Sequence, residues 1–240
     1  VLADGNWWFH LRTVDLADNW TSTVHIGPFV IAAGPLHFTV NSTTDAVDAN
    51  PGDGICQTAT PSECTLRAAI MEASALAGSD SISVPAGTYN LTIAGTGENA
   101  AATGDLDITD DLTITGAGAA TTIIDGGALD RVLHILGGNT VELSGVTVRN
   151  GNPRSNRDGG GILNPGGSTL TINDSTVSGS TATSGGGISS DGTLTVNNST
   201  ISGNTATSDG FGGGGIVDNG GGTVTINNST ISGNTVGNSG

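Results

Sequence analysis

Few residues in this chain are placed to do chemistry. Asp45, Asp48, Asn50 and Asp53 crowd one loop ahead of Cys56. Oxygen donors on a turn-rich loop are what Ca²⁺ takes, and D-x-N-x-G-D-G falls one residue from the helix-loop-helix calcium pattern. The same residue types also build Asp/Asn-stabilised turns without any ion. Cys56 and Cys64 are the only 2 cysteines. Flanking a loop in a chain that reads as secreted, they point to a disulfide. Two buried free thiols are the alternative, and a zinc site is disfavoured because no histidine neighbours them.

No set of residues composes a catalytic centre. Asp174, Asp191 and Asp218 fall at corners of different kinds, and His10, His25, His37 and His134 are dispersed, without a partner at metal spacing. Arg149, Arg154 and Arg157 cluster near Asp158. That is the one place for a lyase-like base, where ordinary solvated loop charge is the competing reading. Polysaccharide lyases and glycoside hydrolases need paired carboxylates, or Ca²⁺ with a basic side chain, on one outward face. Asn-x-Ser/Thr acceptors recur, with Asn173, Asn198 and Asn228 as candidate glycan sites. Asparagines recurring at one corner also suit a side-chain ladder between stacked turns.

The scaffold that would position these residues is a repeat. GGGILNPGGSTLTINDSTVSGST, GGGISSDGTLTVNNSTISGNT and GGGIVDNGGGTVTINNSTISGNT run from Gly159 to Thr235. Ile162, Ile188 and Ile216 step by 26 and 28; Leu170, Leu194 and Val224 step by 24 and 30, as do Val177, Ile201 and Ile231. Period-2 stretches such as Leu170-Thr-Ile172 read as short strands with one face inward. Only stacking, at about 4.8 Å per turn, can bury that face. The step of 27 from Ile108 to Ile135 carries the period back to about residue 106. The expected fold is all-β: a right-handed parallel β-helix, or solenoid, of roughly six turns, with an N-terminal capping helix and a preceding β-hairpin. Residues 95–104 read as a loop ejected from an early turn.

Residues 1–34 alternate as a long hairpin bearing Trp7, Trp8 and Trp20, and resemble the last two strands of a fibronectin type III or immunoglobulin-like domain. Residues 35–80 read as an N-terminal cap of strand, Asp-rich loop, disulfide and helix. The helix is expected from Leu66 to Ala77, with Thr65 as N-cap, Gly78 as terminator, and Leu66, Ile70, Ala73 and Ala77 as its apolar stripe. Residues 81–240 form the solenoid. Gly makes up 40 of 240 residues, about twice the usual share, as many tight corners require. The net charge of −16, with arginine as the only basic residue besides histidine, argues against nucleic acid as a partner. No apolar run is long enough for membrane insertion.

The string Asp53-Gly-Ile-Cys56 followed by Cys64-Thr-Leu-Arg-Ala-Ala-Ile70 resembles a cap motif of bacterial right-handed parallel β-helix proteins, usually Cys-Ser-Leu-Arg-Glu-Ala. Thr65 and Ala68 depart from it. The resemblance spans residues 36 to 240 and implies a secreted or surface location. Together these readings lead to a non-enzymatic structural solenoid, extracellular or on a cell surface, serving as filament, stalk or adhesin. No capping element follows Thr235, so copies are expected to join head to tail, with the tryptophan-bearing hairpin contributing to self-association. The competing readings are a lyase or hydrolase near Asn150–Asp158 and a passive carbohydrate-binding module, either of which would engage a surface polysaccharide.

Overall fold

The computed structural model describes residues 5–11, 24–31, 34–154, 158–208 and 212–237, the first two stretches as backbone strands. The chain divides into two compact units, Val1–Gly34 and Pro35–Gly240. In the first, Gly5–Leu11 pairs antiparallel with Val24–Ile31. The register shifts where Trp8 stands opposite Gly27 and Pro28. Proline has no N–H to give a ladder, so a bulge is where a strand tolerates it.

The second unit is a parallel β-solenoid. Its first sheet stacks seven strands, from His37–Thr39 and Asp80–Val84 through Leu112–Gly116, Thr140–Ser144, Thr169–Asn173 and Thr193–Asn197 to Thr223–Asn227. A second sheet runs over six strands from Gly87–Asn90 to Thr230–Ser232, and a third over five from Leu106–Ile108 to Ile216–Val217. Every pairing between successive rungs is parallel. The columns found by subtraction are physical columns: Leu170 pairs with Leu194 and Leu194 with Val224, Val177 with Ile201, and Ile162 with Ile188. A fourth sheet, Thr181–Ala182, Thr205–Ala206 and Thr235–Val236, was not expected. Two residues are too few to leave a period-2 signature.

Alternation explains the packing. In Thr169–Asn173 the buried residues are Leu170 and Ile172, while Thr169, Thr171 and Asn173 look outward. Each aliphatic side chain taken from water contributes about 1.5–3 kcal/mol, so the columns of such residues along the sheets supply a continuous core. The Gly-Gly-Gly-Ile runs serve close approach. A Cβ on Gly186 would lie 2.6 Å from the Gly214 carbonyl oxygen and would overlap that of Thr205. Only glycine lets backbones of adjacent rungs meet there.

The capping helix spans Leu66–Ala75 and packs against Leu106–Ile108 and Asp80–Val84. Thr65 is its N-cap, its Oγ1 accepting from the Ala68 N–H at 3.1 Å. The helix stops two residues before the expected Ala77. Leu76 turns extended and buries itself in the core, leaving Ala77 exposed, so the apolar stripe ends at Ala73.

Candidate functional site

The cap is organised by Arg67. Its side chain is 0 % exposed. All five guanidinium N–H donors are used. Nε and Nη2 hold the two oxygens of Asp45 at 2.6 and 3.2 Å; Nη1 donates to the carbonyls of Ala101 and Asp105, and Nη2 to that of Gly104. One side chain from the helix therefore fastens the loop of residues 95–104, and Asp45 extends the network by accepting from the Thr92 and Ile93 N–H groups at 2.6 and 3.0 Å. The loop read as ejected from its turn is folded back and fixed: Ala101 is fully buried, and Glu98 accepts from the Ala100 and Thr103 N–H groups.

Burial alone would raise the Asp45 pKa. The Arg67 hydrogen bond and charge, with the Thr92 and Ile93 N–H groups, outweigh it and hold the carboxyl below its ordinary range. A folded-state pKa below the unfolded value of about 3.9 means stability present above that pH and lost as pH falls through it. In acid titrations of denaturant stability, the protein is expected to weaken steadily below about pH 4. Asp45→Asn should start less stable and lose less on acidification. An acid limb of unchanged slope in the variant would show that Asp45 does not carry it.

Asp45, Asp48, Asn50 and Asp53 are not brought together around one point. Asp45 faces Arg67. Asp48 accepts from the Asn50 and Gln57 N–H groups at 2.8 and 2.9 Å. Asp53 accepts from the Ile55 N–H and from the Asn50 amide. The loop is anchored to the helix by Glu72, fully buried, which accepts from the backbone N–H groups of Gly52 and Gly54. Burial raises the Glu72 pKa despite those bonds, and the charges of Asp48 and Asp53 add to the rise. Sequence reading gave Glu72 no role, because the partners of a buried carboxylate that serves backbone groups carry no side-chain signature.

Cys56 and Cys64 form the disulfide, with Cα atoms 5.2 Å apart. Closing a loop this short constrains the unfolded chain by about 2–3 kcal/mol. The double variant Cys56→Ser, Cys64→Ser is expected to lose that amount in urea unfolding, and a midpoint equal to wild type would overturn the expectation.

A second polar cluster lies on the third sheet. Asp107 and His134 pair in register on adjacent strands, with His134 Nδ1 3.0 Å from Asp107 Oδ1. Asp107 Oδ2 accepts from the Ala101 N–H. Arg131 Nη1 donates to Asp105 Oδ2 at 3.1 Å, and the Arg131 N–H to Asp130 Oδ1 at 2.8 Å. Asp105 and Asp107 are 3 % and 1 % exposed. Burial, joined by the charges of Asp107 and Asp130 and opposed by those of Arg131 and His134, pushes Asp105 up to about 6. Ligand-type atoms of Asp105, Asp107 and His134 lie within 4.8 Å of one another, the one such triple among the described residues. This corrects the expectation that His134 lacks a partner at metal spacing: Asp107 is 27 residues earlier, one rung below.

The remaining sequence-derived positions scatter. Arg149 Nε is held by Asp125 Oδ2 at 2.7 Å, Arg154 Nη2 donates to the Ala128 carbonyl, and Arg157 lies outside the described residues. Asp158 is raised by burial and by the charge of Asp191, against Arg131. Trp7 and Trp8 fall in the strand Gly5–Leu11, while Trp20 lies outside the described residues. Asn173 heads an asparagine ladder, its Oδ1 accepting from Asn197 and that of Asn197 from Asn227, both at 2.9 Å. Asn198 and Asn228 turn the corner beside it at φ 49° and 50°.

Fold and cap together define the class of protein: a parallel β-solenoid with a disulfide-bonded N-terminal cap. Comparison with protein-family models, with curated proteins and with solved structures returned no match. Among the described residues no helix is long and apolar enough to cross a membrane.

Proposed function

We propose that this chain is a rigid structural segment of an extracellular or cell-surface protein, a stalk, filament or adhesin element that associates with copies of itself. The observation that carries the reading is where the repeats direct their side chains. Apolar residues fill the interior, and the asparagines and serines of the corners bond from rung to rung: Ser175 N–H to Ser199 Oγ, Ser199 N–H to Ser229 Oγ, and Asn197 to Asn173. The most regular part of the sequence thus serves stacking, which yields a stiff rod. The disulfide belongs to an oxidising compartment and supports an extracellular location. Kinship with bacterial surface solenoids is part of the same proposal. The bonds of Arg67 give a physical reason for the arginine in the Cys-Ser-Leu-Arg-Glu-Ala-like motif.

Sedimentation velocity across a concentration series, with negative-stain images, tests the proposal. The expected result is elongated particles that lengthen end to end with concentration. Compact particles would sink the rod reading, and a constant monomer would sink self-association.

A further inference from the structure

We propose that Asp105, Asp107 and His134 bind one divalent transition-metal ion of the zinc class on the outer side of the third sheet. The site is independent of the structural role above. Its donors are one imidazole nitrogen and two carboxylate oxygens, all within 4.8 Å of one another, with those of His134 and Asp107 3.0 Å apart. Ligand atoms of a tetrahedral zinc site stand about 3.4 Å apart at zinc's bond lengths. Small side-chain adjustments therefore bring all three onto one ion. Three protein ligands with the fourth position open is the arrangement of non-structural zinc sites. Calcium needs six to eight oxygens and does not suit this set.

Two further observations point to a ligand here. The first is charge. Asp105 and Asp107 are almost fully buried, and among the described residues the guanidinium bonded to their carboxylates is that of Arg131, on Asp105. Buried charges are paired or coordinate metals. With His134 neutral, the form in which a metal takes an imidazole, two carboxylates and one guanidinium leave a net single negative charge among these side chains for the cation to compensate. The second is Arg131 itself. It is 7 % exposed, and its Nε–H has no hydrogen-bond partner, although Nη1 of the same group holds Asp105. A water, hydroxide or small anion in the ion's fourth position would supply that acceptor. The Ala101 N–H on Asp107 Oδ2 fixes the carboxylate's orientation, as outer-shell partners of ligands do.

The test uses the whole chain without an affinity tag, stripped with EDTA and dialysed. It is titrated with ZnCl₂ by calorimetry and with CoCl₂ by visible absorption. One ion per chain and a Co²⁺ ligand-field band are expected. Asp107→Asn and His134→Gln should each weaken binding by more than the about 10–100-fold that outer-shell changes cost. Circular dichroism confirms the fold of each variant. Should Asp107→Asn fail to fold, His134→Gln decides, because that side chain is 15 % exposed and lies at the cluster's edge. Wild-type protein that takes up no ion overturns the proposal. So does equal affinity and stoichiometry in His134→Gln.

Discussion

Replacing Arg67 with alanine is expected to cost the solenoid about 3–5 kcal/mol, the penalty for removing one partner of a buried ion pair. The side chains of Arg67 and Asp45 are 0 % and 2 % exposed. Truncation leaves a carboxylate in a dry site with only the Thr92 and Ile93 N–H groups to hold it. It also removes the donors that serve the carbonyls of Ala101, Gly104 and Asp105. Lysine should recover little. A point charge with three donors cannot reproduce a planar fork that reaches two carboxylate oxygens and three carbonyls. Urea unfolding of Arg67→Ala and Arg67→Lys measures both effects, and limited proteolysis should find new cleavage within residues 95–104 in each. Arg67→Lys as stable as wild type would show that charge alone, without the fork, is what the cap requires.

The Arg67 network also shows where sequence reading stops. The repeats are legible because period 2 within strands and steps of 24 to 30 between them can be counted, and the counted columns are the paired columns. The disulfide is legible because it joins the only two cysteines. By sequence, Asp45 belongs with Asp48, Asn50 and Asp53 to one acidic loop that suits either a calcium ion or an ion-free Asp/Asn-stabilised turn. The cation on Asp45 is a guanidinium 22 residues later, and no local spacing reveals that. The Asp107–His134 contact was within reach, since its step equals that of Ile108 to Ile135. Its burial was not. Asp107 alternates with two core residues and so belongs to an outward position, yet it is buried, and the loop of residues 95–104 reaches it through the Ala101 N–H on its Oδ2. That loop contact depends on Arg67, so the second cluster becomes readable only after the first.

The asparagines test whether burial or repetition sets the worth of a ladder. Asn204→Leu is expected to cost about 2–4 kcal/mol, from two buried backbone groups left without a partner at about 1–3 kcal/mol each. Asn204 is 0 % exposed. Its Oδ1 accepts from the Ser180 N–H, and its Nδ2 donates to the Val177 carbonyl, each at 3.0 Å. Asn197→Leu removes two equally regular bonds, to Asn173 and from Asn227, each at 2.9 Å, but from a half-exposed side chain whose partners can turn to water. The cost there should stay near about 1 kcal/mol. Equal losses in urea unfolding would mean that repetition, not burial, sets the value. The neighbouring rung supplies an internal control: one coil earlier the same position holds Ser180, whose Oγ accepts from the Gly151 N–H at 3.2 Å. A serine hydroxyl can therefore fill this corner. Asn204→Ser should keep an acceptor for the Ser180 N–H while giving up the Val177 bond, and so fall midway between Asn204→Leu and wild type.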